Sequence, residues 1–311
     1  MDNFADRLAA AILKKKSQVC VGLDPKINLM PAFLMAREGS LEKESHGLSS
    51  GRVAEIFKQF SLAIIEAVEP HAVAVKLQLA CFEAYGPPGM KVFWQLARAS
   101  SQAGLLVIAD GKRGDIGASA SLYSSAYIGR PEALGETPGS ADIDAMTVNP
   151  IFGDDGVRPF LTDCRDYGKG IFILVRTSNS GAAALQDLRL DDGAFWHEHL
   201  ARLVSDWGAG LTGSCGYSSA GAVVGATRPD AISRLRRLMP RAFFLLPGYG
   251  AQGAGAADVA AAFDSEGLGG LVTASRSIIY AGNDAAFASG AAAAAERMQT
   301  ELWDSCQDGS R

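Results

Sequence analysis

No Cys-x-x-Cys occurs in this 311-residue chain, and its five cysteines (Cys20, Cys81, Cys164, Cys215 and Cys306) are odd in number and widely scattered. That spacing indicates neither a disulfide framework nor a thiolate metal site, and a reducing cytosol is the natural compartment. Histidines number only four, and His197 and His199 lie two apart, not at the i, i+4 spacing of a zinc-binding helix. No metal site is expected from them. No uninterrupted apolar stretch approaches the ~20 residues of a membrane span. At the N-terminus Asp2, Asp6 and Arg7 precede the short Ala9–Leu13 apolar run and Lys14–Lys16 follow it, the reverse of a secretory signal. With 29 Lys+Arg against 34 Asp+Glu, a net charge of −5, a basic footprint for nucleic acid or an anionic membrane is missing. The expectation is a soluble, cytoplasmic protein whose anionic ligands, if any, are held by a local site.

What the chain has in excess is glycine, 35 residues, or about 11% against a usual ~7%. The hydrophobic fraction of 48% and charged fraction of 20% are those of a globular protein and exclude disorder. Short Val/Ile/Leu/Phe-rich runs recur, each entering a Gly/Asp/Asn/Ser-rich turn and then a longer segment of helical period. The runs lie near Val19–Leu23, Val73–Leu79, Leu105–Ala109, Ala145–Val148, Gly170–Val175, Ala222–Gly225, Phe243–Leu246 and Gly270–Ala274. Eight βα units predict an α/β fold, a TIM (β/α)8 barrel of about 250 residues, with the surplus in loops. Two stretches carry much of that surplus: Pro25–Gly51 after the first strand and Tyr127–Ala141 after the third. Nothing between two halves has linker character, so one domain over residues 1–311 is preferred to the two that length alone suggests.

Alternation within strands points to a site. In the second strand Val73, Val75, Leu77 and Leu79 share one face, which turns Ala72, Ala74, Lys76 and Gln78 toward the lumen. Taken alone, such a lysine also fits a residue snorkelling from a strand edge. Asp24 falls at the C-terminal end of the first strand, where barrel enzymes keep their sites, although an Asp before Pro25 also suits a plain turn. The third strand ends in Asp110-Gly-Lys112-Arg-Gly-Asp115. Asp110 and Lys112, two apart, are expected on the face that opens into the mouth, while Asp115 starts the next helix and also fits an ordinary N-cap. Two lysines and two carboxylates at one mouth form an alternating array that keeps its members ionised, costly to desolvate and hence a site candidate.

The last two strands end in anion-binding chemistry. Gly248-Tyr-Gly250-Ala-Gln252-Gly253 follows the seventh and Ser275-Arg276-Ser277 the eighth, the usual place of a barrel phosphate site. Gly248–Gly253 matches Gly-x-Gly-x-x-Gly, as does Gly208–Gly213, but in a glycine-rich chain the pattern is weak, and a dinucleotide fold would place it after the first strand. Either way phosphate is expected near Gly248 and Gly250.

From Val19-Cys-Val-Gly-Leu-Asp-Pro25 through Asp110-Gly-Lys-Arg-Gly-Asp115-Ile, Arg176-Thr-Ser-Asn179 and Pro247-Gly-Tyr-Gly-Ala-Gln252 to Ser275-Arg276, the chain resembles the orotidine 5′-monophosphate decarboxylases, in their longer bacterial form. The Asp-x-Lys-x-x-Asp core is shared with other sugar-phosphate barrels; Lys76, the Gln252 loop and Arg276 make the match specific. The resemblance implies cofactor-independent, metal-free decarboxylation of orotidine 5′-monophosphate to uridine 5′-monophosphate in pyrimidine biosynthesis. It implies a catalytic tetrad of Lys76, Asp110, Lys112 and Asp115, with Lys112 delivering a proton to C6 of the pyrimidine. It implies a homodimer in which Asp115 and Ser119 serve the partner's site. Asp24 and Lys76 would hold the ribose, Thr177 and Ser178 the pyrimidine segment, and Gln252, Ser275 and Arg276 the phosphate end, with the Tyr249–Gly253 loop closing over the nucleotide. Ser119 stands where the family usually has Thr, and Ser180 where many relatives have Pro. A magnesium-dependent ketose-phosphate decarboxylase or aldolase on the same barrel, and a non-catalytic nucleotide-phosphate binder, are the alternatives.

Overall fold

Eight β-rich runs become eight parallel strands in the computed structural model, which describes residues 3–37, 48–131, 142–251, 253–282 and 284–308. They are β1 (Val19–Leu23), β2 (Ala74–Gln78), β3 (Leu106–Arg113), β4 (Ala145–Val148), β5 (Gly170–Arg176), β6 (Ser218–Val224), β7 (Ala242–Pro247) and β8 (Gly270–Ala274). Each pairs with its neighbour in chain order and β8 closes on β1, with Val19 opposite Val272. The TIM barrel expected from the sequence is the fold observed.

Helices alternate with the strands and turn their apolar stripes inward. The helix Ser50–Val68 begins at Ser49, whose hydroxyl accepts from the Arg52 N–H, and buries Val53, Ile56, Phe57, Phe60 and Ile64 at helical spacing. The helix Asp154–Tyr167 starts after Gly153 and stops at Gly168, both at positive φ (72° and 64°). Val75, Leu77, Val107, Met146 and Val148 face this helical shell. Cys20, Ala74, Ile108, Ala145, Phe172, Val223, Leu245 and Leu271 form the other packed layer, inside the barrel. The alternation deduced for β2 is adopted from Ala74 onward; just before the strand it is not, since Val73 packs in the inner layer and Ala72 in the outer one.

The N-terminal helix Phe4–Lys15 packs with that inner layer through Phe4, Leu8 and Ile12. Phe4 meets Phe172 edge-on at 5.9 Å between ring centres. A Cβ at Gly170 would lie 2.2 Å from the Phe4 ring, so only glycine fits beneath it.

Two strand boundaries differ from expectation. β6 starts four residues earlier than the apolar run suggests, because Ser218 and Ser219 are buried with their hydroxyls satisfied by the Gly208 carbonyl (2.8 Å) and Asn3 Oδ1 (2.5 Å). β3 runs on through the charged cluster to Arg113. Of the two long insertions, residues 38–47 and 132–141 lie outside the described residues; within the first, a helix spans Ala32–Arg37. No described helix is long and apolar enough to cross a membrane.

Candidate active site

The strand ends of β2 and β3 bring the first charges together. Gln78 pairs with Asp110 in the β2–β3 register, placing Lys76 and Asp110 on the lumen face at the carboxyl end of the barrel. Lys76 Nζ donates to Asp110 Oδ2 at 2.6 Å, and both side chains are 7% exposed. Gln78 Nε2 donates to the same oxygen at 3.2 Å. Lys112 Nζ reaches Asp110 Oδ1 at 2.5 Å. Asp110 is thus clasped between two ammonium groups, one buried and one, Lys112, 45% exposed to the cavity.

Electrostatics follow from that clasp. Burial works against ionising Asp110, but Lys76 and Lys112 outweigh it and hold the carboxyl well below the usual carboxylate range. Burial likewise disfavours a charged Lys76, and Asp110 and Asp24 more than offset it, raising its pKa above that of a free lysine. Because the folded pKa of Asp110 is depressed, its contribution to stability is complete above about pH 4 and is lost as the pH falls from there toward the folded value. That of Lys76, with a raised pKa, is complete below about pH 10 and is lost only as the pH rises through the folded value. Asp110→Asn is therefore expected to destabilise the fold by about 3 kcal/mol near neutrality, a gap that holds from pH 6 to 8 and shrinks below pH 4. Urea denaturation of both proteins across that range checks it, and a gap constant down to pH 3 would contradict it.

Asp24 closes the array on the β1 side. Its Oδ1 stands 3.9 Å from Lys76 Nζ and is buried without a hydrogen-bond partner. An orphaned carboxylate oxygen at a mouth is an acceptor awaiting a donor.

Asp115 is not part of this cluster within one chain. Its Oδ1 accepts from the Ile116 N–H at 2.8 Å, and among the described residues it forms no ion pair. Ser119 lies exposed on the helix Gly117–Tyr127. Around them Ile116, Leu122, Tyr123, Ile151 and Phe152 are all exposed, from 39% for Tyr123 to 67% for Leu122.

A cavity of about 290 Å³ opens beside the clasp, lined by Lys76, Asp110, Lys112, Thr147, Thr177, Ser178, Asn179, Val223, Leu245 and Pro247. One wall is charged, a second (Val223, Leu245 and Pro247) apolar and a third (Thr177–Asn179) neutral and polar, which suits a flat heterocycle carrying an acidic group. The Thr177–Ser178 wall is tied down from behind. Gln186 Oε1 accepts the Thr177 N–H at 2.8 Å, and Arg176 forms a two-pronged pair with Asp187 at 2.8 and 2.9 Å. Gly225 lets that wall approach, since a Cβ there would fall 2.8 Å from Ser178 Cα. Gln186 and Asp187 went unnoticed in the sequence, as they lie between the apolar Ala182–Leu185 and Leu188 in a short stretch with no strand or helix period to single them out.

The segments after β7 and β8 meet at the same end. Gly248, Gly250 and Gly253 all have positive φ (111°, 68° and 94°), and a Cβ on Gly250 would come within 3.0 Å of Ser277 Oγ. Tyr249 anchors the turn by donating to Glu301 Oε2 at 2.5 Å. Ser275 sits over Gly22, where a Cβ would lie 1.9 Å from its hydroxyl. Arg276 opens the short helix Arg276–Ile279, exposed and, among the described residues, in no ion pair. Gln252 lies outside the described residues.

Residues 17–291 match the family described as orotidine 5′-phosphate decarboxylase / HUMPS. The chain belongs to this family. Among curated orotidine 5′-phosphate decarboxylases, that of Rhodopirellula baltica is 43% identical over 281 residues, 90% of this chain and 89% of the relative. That of Caldicellulosiruptor bescii is 41% identical over 281 residues, 90% of both. The solved OMP decarboxylase of Leishmania donovani superposes with a TM-score of 0.73 at 28% identity, covering 98% of this chain and 99% of that one. The decarboxylase / HUMPS match takes in all eight strands and every residue of the cavity wall.

Proposed function

We propose that the chain, as one barrel domain over residues 1–311, decarboxylates orotidine 5′-monophosphate to uridine 5′-monophosphate and CO₂ in pyrimidine nucleotide biosynthesis. The observation that carries this reading is the Lys76–Asp110–Lys112 clasp on the cavity wall. Loss of CO₂ breaks the bond from C6 to the carboxylate and leaves its electron pair on C6, where no cofactor delocalises it. Fixed positive charge beside that carbon lowers the barrier, and Lys112, the exposed end of the clasp, supplies both the charge and the proton that C6 takes up. Solvent then reprotonates the amine. Asp110 faces the leaving carboxylate as a like charge that the product no longer meets.

The remaining residues divide the nucleotide among them. Asp24 Oδ1, buried and unpartnered, accepts from a ribose hydroxyl, with Lys76 beside it. Ser178, held by the Thr177–Gln186 tie, faces the pyrimidine. Arg276, Ser275, Gln252 and the amides around Gly248 and Gly250 take the phosphate, remote from C6, so that its binding energy serves closure of the Tyr249–Gly253 turn. Asp115 and Ser119 complete the partner's site in a homodimer. The exposed apolar group Ile116, Leu122, Tyr123, Ile151 and Phe152 surrounding them is the surface such a dimer would cover.

The magnesium-dependent reading fits less well. Both oxygens of Asp110 are engaged by ammonium groups, which leaves a divalent cation there facing two like charges. The test is release of CO₂ from orotidine 5′-monophosphate with and without excess chelator. Equal rates are expected; a rate abolished by chelation and restored by Mg²⁺ would favour the metal-dependent alternative, and no release at all would favour a silent binder.

A further inference from the structure

β3 and β4 fall out of register beside the clasp. Ala109 pairs with Met146 and Arg113 with Val148, so Asp110, Gly111 and Lys112 all stand opposite the single residue Thr147. A bulge of this kind re-aims side chains and takes backbone groups out of the ladder. Gly111 makes room for it, since a Cβ there would lie 2.6 Å from Leu79 Cδ1. Lys112 pays for it in conformation: its φ is 47°, in the left-handed region that non-glycine residues rarely occupy.

Thr147 mends the break. Its side chain is buried, and its hydroxyl accepts the Lys112 N–H at 2.9 Å while donating to Asp110 Oδ1 at 2.9 Å. That is the same carboxylate oxygen to which Lys112 Nζ donates. One hydroxyl therefore fixes the backbone of the lysine and the rotamer of its carboxylate partner. Being β-branched, threonine holds that hydroxyl in few rotamers.

We infer that Thr147 is a positioning residue for the decarboxylation, holding Lys112 in its left-handed turn and aiming its ammonium along the cavity wall. It acts through Lys112 and Asp110. This inference rests on the function proposed above, and it makes a claim about geometry that is independent of it.

Thr147→Val keeps the shape and removes the hydroxyl. It is expected to lower kcat roughly 10- to 100-fold, the scale of a misplacement of about 1 Å, with KM within about threefold because the ribose and phosphate contacts are untouched. Thr147→Ser is expected to restore kcat to within about threefold of the parent. A crystal structure of Thr147→Val is expected to show Lys112 out of the left-handed region and its Nζ away from Asp110. If the valine protein cannot be obtained folded, Thr147→Ala carries the same expectations. The inference is overturned if kcat stays within twofold of the parent, if the loss lies in KM alone, or if serine does not rescue. It is also overturned if Lys112 keeps its conformation in the variant structure. A parent protein that releases no CO₂ would instead overturn the function, and the crystallographic comparison would still decide the geometry.

Discussion

Lys112→Ala is expected to lower kcat for decarboxylation about 10⁴-fold or more, because it removes the proposed proton donor and a fixed charge together. The expectation is specific because little else should change. Asp110 keeps Lys76 at 2.6 Å, Gln78 at 3.2 Å and Thr147 at 2.9 Å, so its carboxylate is not left bare in the interior. Lys112 itself is 45% exposed, and alanine in its place opens no cavity in the core. The thermal midpoint should stay within a few degrees of the parent. Uridine 5′-monophosphate should bind within about tenfold of its parent affinity, since the contacts proposed for Arg276, Asp24 and Ser178 remain. Calorimetric titration with that nucleotide and a CO₂-release assay separate the two effects. A variant that binds and also decarboxylates at the parental rate would remove Lys112 from the mechanism. Equal losses of binding and rate would recast it as a binding residue.

The barrel was legible because its determinants are local. Apolar runs of four to eight residues, each followed by a turn and a helical stripe, suffice to count strands, and the alternation around Lys76 shows which face enters the lumen. The charged end of β3 was legible as a cluster, but its geometry was not. Simple alternation places Asp110 and Lys112 on one face, and both do reach the cavity, but Lys112 arrives through a two-residue bulge and a left-handed turn. Bulges depend on the partner strand, here on Thr147, and a lone threonine in the four-residue run Ala145–Val148 has little to distinguish it beyond sharing a face with Ala145. The start of β6 was missed for a related reason: Ser218 and Ser219 look like turn residues until Gly208 and Asn3 supply their hydrogen bonds. The N-terminal helix was readable in principle, with Phe4, Leu8 and Ile12 at helical spacing, but nothing local says that it packs against the barrel interior.

Mixing two inactive variants tests the other half of the site. Asp115 has no ionic partner among the described residues of its own chain, yet the proposed tetrad needs a carboxylate near Lys112 and Lys76. If the partner supplies it, each site combines Lys112 of one subunit with Asp115 of the other. Lys112→Ala and Asp115→Asn homodimers are then both nearly inactive. A dimer formed from one of each has one site carrying both substitutions and one carrying neither. Random reassociation of equal amounts makes half the dimers mixed, and half the sites in those intact, so about a quarter of the parental activity per site should return from a background near zero. A chain carrying both substitutions provides the converse. Reassociated with an equal amount of parent, it yields mixed dimers in which each site has one defect, and the parent's activity should fall by about half. Were Asp115 to act within its own chain, the first mixture would recover nothing and the second would lose nothing. Both results follow from where one carboxylate sits relative to the subunit boundary, given that Asp115→Asn alone removes most of the rate. They also require the exposed apolar surface of Ile116, Leu122, Tyr123, Ile151 and Phe152 to be the one covered on association. Leu122→Glu, placing a charge at the most exposed of these positions, should therefore abolish recovery in the first mixture by preventing the dimer from forming.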